Sequence, residues 1–393
     1  MRIGIDATCW WNRRGFGRFT RQIITAILAD SRGHEIYLFV DRAPAPEMIR
    51  PGVQIVQVET SATVTSAAVA EGRRKLPDML RLRRAVAATP LDVLYFPAVY
   101  SWFPTSNRAP TVITFHDAIA EHYASLVFPD RLGRFFWNLK TWLARRTAAG
   151  FTTVSEAARE EIVRYLKIPR NKIEVVLEAA DPIFTRVSDP ARLAEMRARL
   201  ALPPDDRLLV YVGGLAPHKN LLRLAQAFAR AVADPALADL SLVFVGDPNG
   251  DGFHSNYQEL KALIDGDTRL KGRVHFTGFV SDDDLVSLYS AAHVVAMPAL
   301  SEGFGLPAAE AIACGTPVIA TAGGAVAEVV GEAGVFFDPL DIDGMAQVIV
   351  RTATDEALMA RLRASSLIRA SQLSWSAAAE ATLKVLERFG RTR

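Results

Sequence analysis

Glu302 and Glu310 stand eight residues apart in the stretch Ser301-Glu302-Gly303-Phe304-Gly305-Leu306-Pro307-Ala308-Ala309-Glu310, with a Gly-x-Gly turn and a proline between them. Two carboxylates so placed can accept hydrogen bonds from two different hydroxyl-bearing parts of one ligand. The run His293–Met297 before them is mostly apolar and valine-rich, which reads as a buried strand. Ala308–Cys314 after them are small and helix-forming, and Gly315 follows where a helix stops. Pro307 suits the first helical position, where no backbone donor is lost. The order is therefore strand, glycine turn, helix, with Glu302 on the turn and Glu310 about one turn inside the helix. A helix N-terminus holds an anion, because its N–H groups and dipole point outward. Gly303 and Gly305 let the backbone approach a ligand closely.

Other residues could act with this pair. Lys219 ends the run Tyr211-Val212-Gly213-Gly214-Leu215-Ala216-Pro217-His218-Lys219, just before a helical pattern. A lysine there can neutralise a diphosphate as a compact point charge. Phe115-His116-Asp117 closes an apolar strand, where α/β proteins place their sites. Gly15-Phe16-Gly17 follows the first strand by roughly nine residues, too far for a dinucleotide-binding turn. A longer glycine loop is expected, made cationic by Arg13, Arg14 and Arg18, with backbone N–H groups for a phosphate or room for an acceptor. Thr277-Gly278-Phe279-Val280 precedes Ser281, an expected N-cap, and Asp282-Asp283-Asp284 then read as a helix start rather than a metal cluster.

Half of the 393 residues are hydrophobic and 22% are charged, an ordinary soluble composition in a chain long enough for two domains. Two distant cysteines suggest neither a disulfide framework nor, with few histidines, a zinc site. The opening Met1–Asp6 reads at once as a strand, with no signal peptide, and no run of about 18 apolar residues suits a membrane span. A cytoplasmic protein is expected, with a peripheral contact at the inner membrane face as a further option. The net charge of +2 hides an asymmetry. Residues 1–180 carry 25 Lys/Arg against 17 Asp/Glu, and residues 181–393 carry 20 against 26. A basic first half can face an anionic acceptor, a lipid head group or simply solvent.

Short apolar runs recur between helical stretches. Ile3–Ile5, Glu35–Val40, Val53–Val58, Val93–Phe96, Val112–Phe115, Thr152–Val154 and Ile173–Leu177 read as strands in the first half. Leu208–Val212, Leu242–Val245, Val274–Phe276, Val294–Met297 and Val318–Ala320 follow in the second. Phe19–Ala29 and Ala157–Leu166 read as helices. The pattern predicts an α/β protein with parallel sheets flanked by helices, in two Rossmann-like units. The linker is expected near Asp181–Pro190. The domains are set at 1–183 and 184–373, with 374–393 as a terminal helix.

The Glu302–Glu310 stretch resembles the E-x7-E signature of the family-4 retaining glycosyltransferases, and the resemblance covers nearly the whole chain. Met1–Ala7 followed by Gly15-Phe16-Gly17-Arg18 looks like the family's opening. Leu373-Ser374-Trp375 with Ala377–Phe389 looks like its closing helix, which returns to the first domain. The resemblance implies the GT-B fold, two Rossmann-like domains with a deep cleft between them. It implies that Glu302 contacts the donor sugar and Glu310 the ribose of the nucleotide. Lys219 resembles the family's phosphate lysine, and Val280 sits in a base-binding turn. Gly303, Phe304, Gly305 and Leu306 line the donor, with Gly15 and Gly17 facing its phosphate. His116 resembles the family's donor-sugar histidine, and Asp117, Arg13 and Arg18 are expected on the acceptor side. Many members carry an arginine where this chain has Gly214; His218 or Arg18 is expected to replace it. The implied reaction moves a hexose from a GDP- or UDP-linked sugar to a glycan or lipid-linked hydroxyl, with no metal, no other cofactor and no nucleic-acid partner. An epimerase of the same fold and a non-catalytic nucleotide-sugar binder are the alternatives.

Arg131–Arg146 carries Leu132, Phe135, Phe136, Leu139, Trp142 and Leu143 as an apolar stripe at helical spacing, flanked by Arg131, Arg134, Lys140, Arg145 and Arg146. Such a stripe suits an interfacial helix. It equally suits, and more commonly marks, a helix that packs its stripe on a sheet and leaves cations at its ends.

Overall fold

The apolar runs become two fully parallel sheets. A computed structural model describes residues 1–61, 76–105, 109–128, 130–247 and 255–391. The chain divides into two compact units, one of residues 1–124, 128–178 and 374–393, the other of residues 125–127 and 179–373. The division falls at 178/179, where the sequence reading set 183/184.

In the first unit the strands are β1 (Arg2–Asp6), β2 (Glu35–Val40), β3 (Val53–Gln57), β4 (Val93–Phe96), β5 (Thr111–Thr114), β6 (Gly150–Thr153) and β7 (Ile173–Val175). Their order is β3-β2-β1-β4-β5-β6-β7. β4, β5 and β6 are buried at every residue, as strands covered on both faces must be. The order reverses direction between β1 and β4, and that switch point is where open α/β sheets bind ligands. The helix Trp375–Phe389 packs with Gly15–Ala29, bringing Trp375 edge-on to Phe19 at 5.9 Å between ring centroids. Its Phe389 ring covers Gly150, where an added Cβ would lie 2.3 Å from the ring.

The helix Arg131–Thr147 departs from the more common expectation. It does join the unit's core, but through its small residues. Thr141 and Ala144 are buried, and Trp137 and Leu143 are half-buried. The bulky stripe therefore points the other way: Leu132, Phe135, Phe136, Leu139 and Trp142 are 41–59% exposed.

The second unit holds β8 (Arg207–Val212), β9 (Leu240–Val245), β10 (Val274–Gly278), β11 (Val294–Met297), β12 (Val318–Thr321) and β13 (Gly334–Phe337), in the order β10-β9-β8-β11-β12-β13. Its switch point lies between β8 and β11. Two buried apolar clusters are built on this sheet, one around Phe228, Phe244 and Met345, the other around Tyr289, Met297 and Ile312. Among the described residues no helix is long and apolar enough to cross a membrane.

Candidate functional site

The strands on either side of the second switch point deliver the residues singled out by spacing. β8 leads into Gly213–Lys219, and β11 leads into Glu302–Leu306. Gly213 takes φ 149°, and Gly246 passes so close to its carbonyl that a Cβ there would be only 2.1 Å away. Pro217–Lys219 form a single 3-10 turn, and Asn220, at φ 62°, turns the chain into the helix Leu221–Ala231. Asn220 is buried, and its Nδ2 donates to the carbonyls of Pro298 (3.1 Å) and Pro339 (2.8 Å), which ties the turn after β8 to the chain after β11. The amide of Leu300 donates to His218 O at 2.9 Å, a second tie between the same segments.

Across this junction Lys219 Nζ donates to Glu302 Oε1 at 2.7 Å, the two side chains being 19% and 15% exposed. Burial, with the Glu302 charge second, pushes the Tyr211 hydroxyl well above its ordinary pKa, so Tyr211 stays a neutral donor, bonded to Gly214 O at 2.7 Å. Gly305 holds φ 91° as the N-cap of the helix Leu306–Ala313. A Cβ there would meet Val326 Cγ2 at 2.7 Å. Pro307 is thus the second helical residue rather than the first, still within the turn whose amides have no intrahelical partner. The amides of Phe304, Gly305 and Leu306 donate to no other group among the described residues. Glu310, on the inward face of this helix, is buried, and Tyr289 OH donates to its Oε2 at 3.0 Å. A cation, unengaged amides and the Glu302 carboxylate therefore meet at the carboxyl end of one sheet, with Glu310 buried one turn further along the helix, and the first three suit a diphosphate carrying hydroxylated groups.

His218 carries no positive charge, so it could stand in for the absent arginine only as a neutral hydrogen-bond donor. Burial first, and Lys219 beside it second, push its pKa down to about 3, so the ring is neutral at pH 7. Its Nδ1 is buried without a hydrogen-bond partner among the described residues. Gly214 is open, with nothing within 4 Å of an added Cβ, so the missing side chain is not excluded by crowding. At the proposed base turn, Gly278 takes φ 70°, Val280 is buried and Phe279 is exposed. Ser281 caps the helix Asp282–Ala291 by accepting from Asp284 N, and Asp282–Asp284 fill its first turn as expected.

In the first unit Gly15-Phe16-Gly17 is not a loop. It is the first turn of the helix Gly15–Ala29, entered from an irregular segment after β1. Gly17 is required by packing, since a Cβ would lie 2.1 Å from Asn12 O, and its amide already donates to Arg14 O at 3.0 Å. Its amide is thus committed to the helix and not to a phosphate. Arg21 Nη1 braces the entering segment through the carbonyls of Trp10 and Asn12. Arg13 is exposed and Arg18 half-buried at this helix start.

His116 follows β5. Its Nε2 bonds Pro97 O, just after β4, at 3.0 Å, and its Nδ1 lies 3.5 Å from Glu178 Oε1. Glu178, rather than Asp117, therefore pairs with the ring. Asp117 Oδ1 instead accepts from Ile119 N at 3.0 Å. Burial raises the Glu178 carboxyl against the pull of His116, and its Oε2 is buried with no partner among the described residues. Nearby, Tyr95 OH, Thr114 Oγ1 and Thr152 Oγ1 form a chain of 2.7 Å bonds along β4, β5 and β6. Sequence reasoning passed over Glu178. Its one signal was a lone carboxylate in the apolar run Val175–Ala180 after a strand. Tyr289 carried no signal, because its partner Glu310 comes from another helix.

The model of the family described as Glycosyl transferases group 1 matches residues 194–366, and the model described as Glycosyltransferase Family 4 matches residues 13–182. The serotype-specific mannosyltransferase WbdA of Escherichia coli is 24% identical over 96% of this chain and 46% of its own length. The O-antigen chain mannosyltransferase B of Escherichia coli is 31% identical over 57% of this chain and 56% of its own. The chain thus spans about half the length of these relatives. Among solved structures, HepE of Anabaena in complex with UDP and glucose superposes with a TM-score of 0.73 at 18% identity, covering 99% of this chain and all of the other. That likeness, with the two parallel sheets, shows the GT-B type of fold, and with the two family models it places the chain among the family-4 glycosyltransferases.

Proposed function

We propose that the chain is a retaining glycosyltransferase of polysaccharide biosynthesis. It would move a hexose from a GDP- or UDP-linked sugar to a hydroxyl of a glycan or lipid-linked acceptor, without a metal ion, in the cytoplasm. The observation that carries this reading is the Lys219–Glu302 pair beside the unengaged amides of Phe304, Gly305 and Leu306. The relatives named as mannosyltransferases and the neighbour holding UDP and glucose support a nucleotide-sugar donor.

In this reading the donor diphosphate takes Lys219 from Glu302 and lies on the helix N-terminus. As the nucleoside diphosphate departs, negative charge grows on its β-phosphate, and Lys219 with the amides stabilises it. Glu302 then accepts from hydroxyls of the oxocarbenium-like sugar. Glu310, held by Tyr289, accepts from the ribose, and the backbone at Val280 reads the base edge. In the first unit, His116 reaches a sugar hydroxyl by giving up its bond to Pro97 O. Asp117, Arg13 and Arg18 serve the acceptor.

The test is acceptor-dependent release of nucleoside diphosphate across a panel of GDP- and UDP-hexoses and glycan acceptors, with the product anomer read by NMR. Release that requires acceptor, with the donor's anomeric configuration kept, is expected. Donor binding without release across the panel would leave a non-catalytic binder.

A further inference from the structure

Glu178 follows β7 in the first unit, and its surroundings set it apart from an ordinary ion pair. Its side chain is 3% exposed, and that of His116 is 10% exposed. Oε1 lies 3.5 Å from His116 Nδ1, while Oε2 is buried with no partner among the described residues. The hydroxyls of Tyr95, Thr114 and Thr152 do not serve it, since they bond one another at 2.7 Å. A buried carboxylate oxygen without a partner costs stability, so stability alone gives no reason for a carboxylate at this position.

The hydrogens of the His116 ring follow from its partners. Pro97 O can only accept, so Nε2 carries a hydrogen and donates it at 3.0 Å. Burial disfavours an ionised Glu178 carboxylate, and the neighbouring His116 opposes that effect. One proton therefore lies between Oε1 and Nδ1, on the carboxyl beside a neutral ring or on the ring beside an ionised carboxylate. The pair is neutral as a whole in both forms, and Nε2 keeps its N–H in both. A distance of 3.5 Å is long for a hydrogen bond, and contacts of this kind tighten when substrate binds. Phe19, fully buried, meets the ring at 4.8 Å between centroids and nearly perpendicular, which closes off one side of it. When a ligand hydroxyl displaces Pro97 O from Nε2, Glu178 is the polar partner that stays on the ring. Without it the ring would be free to turn a lone pair, rather than an N–H, toward the ligand.

We propose that Glu178 is a positioning residue for the transfer reaction: its Oε1 holds His116 Nδ1, so that the ring keeps its hydrogen on Nε2 and presents that N–H to a hydroxyl of the donor sugar. This rests on the reading of His116 as the residue that reaches the sugar. Glu178 itself touches no substrate and acts only through the ring.

The test compares acceptor-dependent release of nucleoside diphosphate by the wild type, Glu178→Gln, Glu178→Leu, His116→Ala and the double variant Glu178→Leu/His116→Ala, with the donor and acceptor that the wild type uses. Leucine keeps the bulk and removes the hydrogen bond, whereas the glutamine amide can still donate to Nδ1. Glu178→Leu should lower kcat by about 100-fold with little change in donor KM, and Glu178→Gln should recover most of that loss. The double variant should be no slower than His116→Ala, because the carboxylate has no effect without the ring. Circular dichroism and nucleoside diphosphate binding, which rests on residues of the second unit, should match the wild type throughout. Glu178→Ala replaces Glu178→Leu if the leucine variant does not fold, and loss of folding in both would make Glu178 a structural residue and overturn the proposal. Wild-type kcat in Glu178→Leu, or a double variant slowed by the product of the two single losses, would overturn it and leave the transferase reading standing. A wild type that releases no nucleoside diphosphate with any acceptor would overturn the transferase reading, and this proposal with it.

Discussion

Lys219 Nζ lies 2.7 Å from Glu302 Oε1, so a cation delivered after β8 and an anion delivered after β11 neutralise each other across the switch point of one sheet. Neither charge is left alone in a half-buried turn, where an uncompensated one is costly. In the proposed reaction a nucleotide sugar would take over both roles, its phosphate replacing Glu302 at the lysine and its hydroxyls replacing Lys219 at the glutamate.

The pair should therefore show coupling that a ligand removes. Lys219→Ala and Glu302→Ala are each expected to lower stability by about 1–3 kcal/mol, and the double variant by less than their sum. With saturating nucleoside diphosphate the coupling should shrink. Chemical denaturation of the four proteins, with and without ligand, measures it. Strict additivity without ligand would mean that the two side chains do not interact in solution.

Glu121 should make stability depend on pH. It lies in the first unit, where Trp137 Nε1 donates to its Oε1 at 2.8 Å. Burial, with Asp117 adding repulsion and the Trp137 bond and Arg145 opposing, lifts its pKa from 4.5 to about 7. The folded chain thus holds this proton more tightly than the unfolded chain. The contribution is full below pH 4.5 and is lost as pH rises through about 7, amounting to ~3 kcal/mol in all. Glu121→Gln keeps an acceptor for Trp137 and removes the charge. It should stabilise the protein at pH 8 and change little at pH 5. Equal effects at the two pH values, in parallel denaturation curves, would contradict the assignment.

Gly305→Ala should damage the turn that carries Glu302. The backbone at φ 91° disfavours any side chain, and a Cβ would press on Val326 at 2.7 Å. A loss of about 1–3 kcal/mol is expected, together with weaker nucleoside diphosphate binding. Gly214→Ala is the control: that position is open, and the melting temperature should stay unchanged.

Much of this was legible in the sequence because it depends on local order. Strands covered on both faces must be continuous apolar runs, so β4, β5, β9 and β11 announced themselves. The strand–turn–helix around Glu302 is punctuated by Gly303, Gly305, Pro307 and Gly315. β13 was missed because it is short, begins at Gly334 and directly follows the turn Gly331–Ala333. The start of the first helix was missed because glycine is a poor helix former. Gly15 and Gly17 look like loop until the close approach of Asn12 explains them. The orientation of Arg131–Thr147 stays open between an outward and an inward stripe, since periodicity finds the apolar stripe but cannot say which side the sheet will choose. Pairings between distant segments, Lys219 with Glu302, Tyr289 with Glu310 and Glu178 with His116, leave no mark in local pattern at all.

Calorimetric titration of the wild type and Lys219→Ala with UDP, GDP, uridine and guanosine tests the donor site most directly. The wild type should bind one of the two diphosphates, and Lys219→Ala should lose about 1.5–3 kcal/mol of that affinity while nucleoside binding stays the same. Absence of binding to both diphosphates, or undiminished diphosphate binding by Lys219→Ala, would contradict a nucleotide-sugar site at Lys219 and Glu302.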